Sequence, residues 1–227
     1  MTLTNSLRLF IIVVVVLGHA SCKPQKTTVA KTSTGIPEHT TLKPLPANAP
    51  PQLKQMIDGA VGQAGVTTGY DPSYVSISYP GGDVNPQTGV CSDVVIRSFR
   101  KAGVDLQKEV HEDMLKAWAE YPKRWGLVKP DANIDHRRVP NLMTYFKRAG
   151  TALTISEDAA DYQPGDVIAW DLGGGIDHIG IVTNIWSMDQ HRCLIVHNIG
   201  AGARVEDVMF SWPITGHYRY FDNSVRR

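Results

Sequence analysis

About two thirds of the way along the chain the spacing of apolar residues changes, and this change restricts the fold more than any other feature. Up to residue 150 the period is helical. Leu53, Met56, Ile57, Ala60 and Val61 recur at that spacing behind Pro51, which suits a first helical turn. Val94, Val95, Phe99 and Ala102 mark a second amphipathic helix that begins near Cys91 and stops at Gly103. Leu106, Val110, Met114 and Trp118 mark a third, ended by Pro122, and residues 140–149 a fourth, ended by Gly150. From residue 166 the runs become β-branched: DVIAWD (166–171), HIGIVTNIW (178–186) and CLIVHNI (193–199), with further strands expected at 208–212 and 217–221. Turn residues separate them. The Gly173-Gly174-Gly175 run reads as a hairpin turn, because it leads into a strand and lacks the helix and lysine of a phosphate loop. Helices first and a meandering antiparallel sheet second predict an α+β domain.

The amino terminus has a different character. Arg8 precedes an apolar stretch, Leu9 to Leu17, of about nine residues. Roughly twenty are needed to span a bilayer, so residues 1–22 read as a secretory signal. Ala20-Ser21-Cys22 resembles the end of a bacterial lipobox, with His19 where that motif usually has Leu. Cys22 is then the residue to carry lipid, and ordinary cleavage after Ala20 is the alternative. Either route predicts an exported chain, periplasmic or tethered to the membrane by lipid. Residues 23–51 are rich in Lys, Thr and Pro without apolar periodicity, which predicts a disordered tether. Residues 52–227 are expected to form the domain.

A formal net charge of +1 removes the electrostatic case for a nucleic-acid binder. The three cysteines are too few for a disulfide scaffold and show no CxxC spacing. Cys91, at the start of a helix, is better placed for chemistry. The first turn of a helix offers free N–H groups and partial positive charge, which lower a thiol pKa and supply donors for an oxyanion. A nucleophilic cysteine also needs a base and a group to orient it. His178 opens a strand after the glycine turn and His197 lies in the next strand, so neighbouring strands can bring the rings together.

At these residues a family resemblance enters. GVCSDVVIRSFRKAGVDLQ resembles the nucleophile helix of NlpC-type and CHAP-type cysteine peptidases, bacterial enzymes that cut peptidoglycan. YQPGDVIAW is similar to the strand before their catalytic histidine, DHIGIVTN to the histidine strand, and IVHNIGAG to the strand with their third polar residue. More closely, TTGYDPSYVSISYPGGDV, YPKRWGL and NIDHRRVPNLM look like a family of exported bacterial proteins known only as a domain of unknown function. The resemblance implies a papain-like, NlpC-type α+β fold, with Cys91 as nucleophile, His178 as base and His197 as orienter. It implies hydrolysis of amide bonds in peptidoglycan peptides, with no metal or organic cofactor and no membrane contact beyond the lipid. Val90 and Asp93 stand where many NlpC-type enzymes hold Asp and Gly.

Other readings of the same residues stay open. Cys91 and Cys193 form an even pair that could be a disulfide in an oxidising compartment. Asp177, His178, His197 and Cys193 could hold a metal, although no short HxH or HExxH spacing is present. The histidines could be purely structural. The same triad would also serve an acyltransferase or an amidase on another substrate, and a cleft without activity would leave a murein-binding protein. Arg137 and Arg138 in the DHRR cluster could clamp substrate carboxylates. Tyr70, Tyr74 and Tyr79 could line the cleft.

Overall fold

The computed structural model describes residues 36–221; the expected signal, Cys22 and the first half of the expected tether lie outside the described residues. Among the described residues four α-helices precede the main run of strands, α1 (Pro51–Val61), α2 (Cys91–Lys101), α3 (Leu106–Ala117) and α4 (Val139–Arg148), with only one short strand ahead of them. The strands are β1 (Thr40–Leu42), β2 (Val167–Asp171), β3 (Asp177–Ser187), β4 (Arg192–Asn198), β5 (Ala203–Glu206) and β6 (Ile214–Tyr218). The expected α+β class is what the structure has: the helices pack on one face of an antiparallel sheet in the order β5-β4-β3-β2-β6. The glycine run forms the β2–β3 hairpin turn as expected, all three glycines having positive φ.

Alternation along the strands sorts the sheet into two faces. Val167, Ala169, Ile179, Ile181, Leu194 and Val196 face the helices. Ile168, Trp170, Val182, Cys193 and Ile195 face the other way, under a cover that includes Met209 and Trp212. Helix α2 is the centre of the helical layer, with Val94, Val95 and Phe99 fully buried. Each such side chain stabilises the fold by about 1.5–3 kcal/mol.

Three sequence expectations change. Residues 40–42, expected in the tether, form β1 and pair with Ile185–Ser187 of β3 beyond the point where β2 ends. Backbone pairing needs no apolar period, and Ile36, Leu45 and Ala49 add packing against the core. The strand expected at 208–212 is instead a turn segment; its apolar residues cover the outer face, and the Met209 carbonyl accepts a 2.9 Å hydrogen bond from Trp170 Nε1. The last strand falls at 214–218 rather than 217–221.

The long irregular segment 65–89 is fixed by polar side chains rather than by an apolar core. The Arg97 guanidinium donates to Asp83, to Thr67 Oγ1 and to the carbonyls of Val84, Asn85 and Thr88. The Gln107 amide accepts from Gly82 N–H and donates to Ser78 O. Backbone groups that no ladder satisfies are thus paired, as burial requires. This holds residues 70–74 beside the start of α2.

Candidate active site

Cys91 is the first residue of α2 and is buried, 4% exposed. The helix start is built around Asp93, whose carboxylate accepts a 2.6 Å hydrogen bond from Val90 N–H. That carboxylate also takes a two-pronged pair from Arg137, Nε at 2.9 Å and a terminal nitrogen at 3.0 Å. The arrangement requires a glycine before it, since a Cβ on Gly89 would stand 2.8 Å from Asp93 Oδ2. Asp93, which stands where many NlpC-type enzymes hold glycine, therefore has a structural task of its own.

The thiol is not the lowered one that a helix start predicts. Burial pushes it up to about 12, and the Asp93 charge adds to the rise. Backbone N–H groups of Ile179, Ser92 and Cys91 face the sulfur and pull the other way without prevailing. The Ile179 contact places the sulfur against β3, one residue past His178.

His178 and His197 come together as expected from neighbouring strands. His178 Nε2 lies 2.8 Å from His197 Nδ1, and His197 Nε2 lies 2.9 Å from Glu206 Oε2. The close approach depends on Gly180, where a Cβ would meet Val196 O at 2.9 Å and His197 Cβ at 3.2 Å. Trp170 and Trp212 pack against the His178 ring, at 5.7 and 5.9 Å between centroids. Burial, and then the charge of His197, lower the His178 pKa to about 3, so this ring is neutral. The hydrogen bond from His197 lowers the pKa of Glu206, which is a carboxylate.

These facts assign the hydrogens when both rings are neutral. A carboxylate only accepts, so His197 Nε2 donates to Glu206 and His197 Nδ1 accepts. His178 Nε2 then donates to His197, and His178 Nδ1 carries the lone pair. Glu206 was not among the sequence candidates. It stands across β4 from Ile195, diagonal to His197, and only the β4–β5 register reveals that.

The structure does not join every expected member. Among the described residues no hydrogen bond links Cys91 to His178; Cys91 packs with the helix-side core, whereas His178 packs with Trp170 on the other face. Among the described residues Cys91 and Cys193 are free thiols, in the two separate cores. No group of three or more His, Cys, Asp or Glu among the described residues is arranged to hold a metal ion. Asp177, a candidate ligand, pairs instead with Arg124 at 2.7 Å.

A cleft of about 530 Å³ opens at Cys91, with Tyr70, Tyr74, Trp125, Arg138 and Asp177 in its walls. Tyr70 and Tyr74 thus stand where the sequence suggested. Tyr79 does not: its ring packs edge-on against His111 of α3, outside this cleft. Arg137 lines this cleft as well, but not as a free side chain. Its guanidinium is buried and engaged with Asp93, Ser73 O and Asp71 O, leaving it no freedom to clamp a substrate. It ties the wall that carries Tyr70 and Tyr74 to the first turn of α2.

Comparison with known proteins follows the same boundaries. The profile of DUF1287, described as a domain of unknown function, matches residues 57–220. The uncharacterized protein YijF of Escherichia coli (strain K12) is 56% identical over 164 residues, covering 72% of this chain and 80% of that protein. A crystal structure of a protein described as similar to a lipoprotein of the NLP/P60 family, from Staphylococcus aureus, aligns at 15% identity over 79% of this chain with a TM-score of 0.38. The chain spans 46% of that structure's length.

Proposed function

The chain belongs to the DUF1287 family, and from that premise we propose that it is an exported cysteine hydrolase cleaving amide bonds in peptidoglycan peptides. The observation that carries the reading is the line His178–His197–Glu206, which leaves a lone pair on His178 Nδ1. That ring belongs to the residue next to the one whose N–H faces Cys91 Sγ. The motifs around Cys91 and His178, similar to those of NlpC-type peptidases, support the substrate class.

In this reading both partners rest neutral, a thiol and an imidazole. As Cys91 Sγ attacks the amide carbonyl, its proton passes to His178 Nδ1 and the C–S bond forms. The carbonyl electrons move to oxygen, where first-turn N–H groups of α2 stabilise them. His197 and Glu206 stabilise the transient imidazolium through their hydrogen bonds. Collapse breaks the C–N bond, and His178 gives its proton to the leaving amine. Water then attacks the thioester with His178 as base, the C–S bond breaks, and the thiol is restored. An amine in place of water would make the same site an acyltransferase. Export, and lipid on Cys22, belong to the same proposal.

The test is incubation of the protein with purified peptidoglycan, followed by mass analysis of released fragments. New amine and carboxyl ends, absent with Cys91→Ala and His178→Ala of unchanged circular dichroism, are expected. Intact peptidoglycan that retains the protein would replace this reading with a murein-binding module, which the missing Cys91–His178 hydrogen bond favours.

A further inference from the structure

Arg138 differs from its neighbour Arg137 in one decisive respect. Arg137 directs its donors to Asp93, Ser73 O and Asp71 O. The guanidinium of Arg138, with its side chain only 16% exposed, donates no hydrogen bond to any described residue. Its nearest opposite charge is Asp135 Oδ1 at 3.8 Å, beyond hydrogen-bond reach, and that oxygen is itself buried without a partner. A guanidinium has five N–H donors, and no nitrogen of Arg138 is among the buried side-chain atoms without a partner, so these donors face solvent and are open to a ligand.

The group is nevertheless held in place. Its guanidinium carbon lies over the indole of Trp125, 4.3 Å from the ring centroid, a cation–π contact that restrains the group and uses none of its N–H donors. Trp125 adopts a positive φ of 65°, uncommon for a bulky residue, and lines the same cleft as Cys91. The other cations of this wall are taken: Arg124 by Asp177 and Arg137 by Asp93.

From this we infer that Arg138, stacked on Trp125, is a carboxylate-binding subsite of the Cys91 cleft, and that the substrate carries a free carboxylate on a residue flanking the cleaved amide. A planar fork with unused parallel donors matches a carboxylate in two-pronged fashion. The substrate assignment rests on the hydrolase reading above; the anion site itself does not.

Two arms keep the two apart. In the first, the side-chain Nε–H resonance of Arg138, identified by its loss in Arg138→Lys, is followed by NMR during titration with glutarate, glutaramide or inorganic phosphate. A saturable shift with glutarate, little with the neutral diamide and less with phosphate, is expected. Equal response to glutaramide, no response to glutarate, or a stronger response to phosphate overturns the carboxylate subsite. In the second, turnover of peptidoglycan stem peptides is compared before and after amidation of their carboxyls. Amidation should lower kcat/KM by about 10- to 100-fold in the wild type, the range for a lost charged hydrogen bond. Arg138→Gln should lose as much on the acid form and little more on the amidated form. An equal loss on both forms would make Arg138 merely structural. A glutarate shift without any turnover would sink the hydrolase reading and leave the subsite standing.

Discussion

Glu206 can only accept a hydrogen, and through His197 it determines which nitrogen of His178 is bare. Glu206→Gln replaces the acceptor with an amide that can also donate, so the tautomers are no longer fixed. The expected loss in kcat is about tenfold, the value of one hydrogen bond. His178→Ala should cost about 10²–10⁴-fold, because it removes the base itself. His197→Asn should fall between these, and milder than His197→Ala. Wild-type turnover in Glu206→Gln would show that the carboxylate does not act through the line. The pH profile follows from the same residues. His178, lowered to about 3, stays unprotonated far below its usual range, and Cys91, raised to about 12, stays a thiol far above its own. The kcat/KM profile is therefore expected to be flat from about pH 5 to 9, with alkylation of Cys91 by iodoacetamide slow at neutral pH and rising about tenfold per unit. A limb between pH 8 and 9 in kcat/KM, or an alkylation rate that levels off there, would indicate an ordinary thiol. Cys91, His178 and His197 were legible as candidates because motif and strand order carry them. Glu206 was not, because a diagonal neighbour depends on register. Nor could the sequence tell Arg137 from Arg138, adjacent residues of which one turns inward to Asp93 and the other stacks on Trp125.

The paired histidines depend on how closely β3 approaches β4. Gly180 sits where a methyl group would press on a carbonyl and on the His197 Cβ, and neither neighbour is the free end of a flexible chain. Gly180→Ala is expected to destabilise the domain by about 1–3 kcal/mol through overpacking and to separate the rings. Urea denaturation would read the first effect, and loss of activity in the still-folded variant the second. Unchanged stability would mean that the strands move apart at no cost. The long elements were legible: α2 and α4 by their helical period, β2 to β4 by β-branched runs. The short ones were not. β1 is Thr-Thr-Leu and β5 is Ala-Arg-Val-Glu, too brief and too polar to show a period. Residues 208–212 misled in the opposite sense, since apolar residues that cover a sheet look in sequence like a strand within it.

Across the whole molecule, buried histidines set the response to acid. His178 is lowered to about 3 and His136 to about 4, each mainly by burial. Below the usual histidine range the unfolded chain binds protons that the folded chain refuses, so the stability these groups contribute above pH 6.5 is lost as pH falls toward 3–4. Asp135, raised by burial to about 6, acts in the opposite sense, since its protonated form suits the fold and its cost appears as pH rises through 6. Urea midpoints measured from pH 7 to 4 should fall, and fall less in His136→Gln; an identical pH dependence in wild type and His136→Gln would show that His136 is not excluded from protonation. The α+β class was readable at this scale, but where the leading segment attaches was not. β1 grips β3 at Ile185–Ser187, while His178 stands at the other end of the same strand, roughly 25 Å away at the usual rise per residue. β3 is in effect a lever with its handle and its working end well separated. A pull on the chain through residues 36–39 would peel three rungs from the far end first, and the histidine line would feel it last.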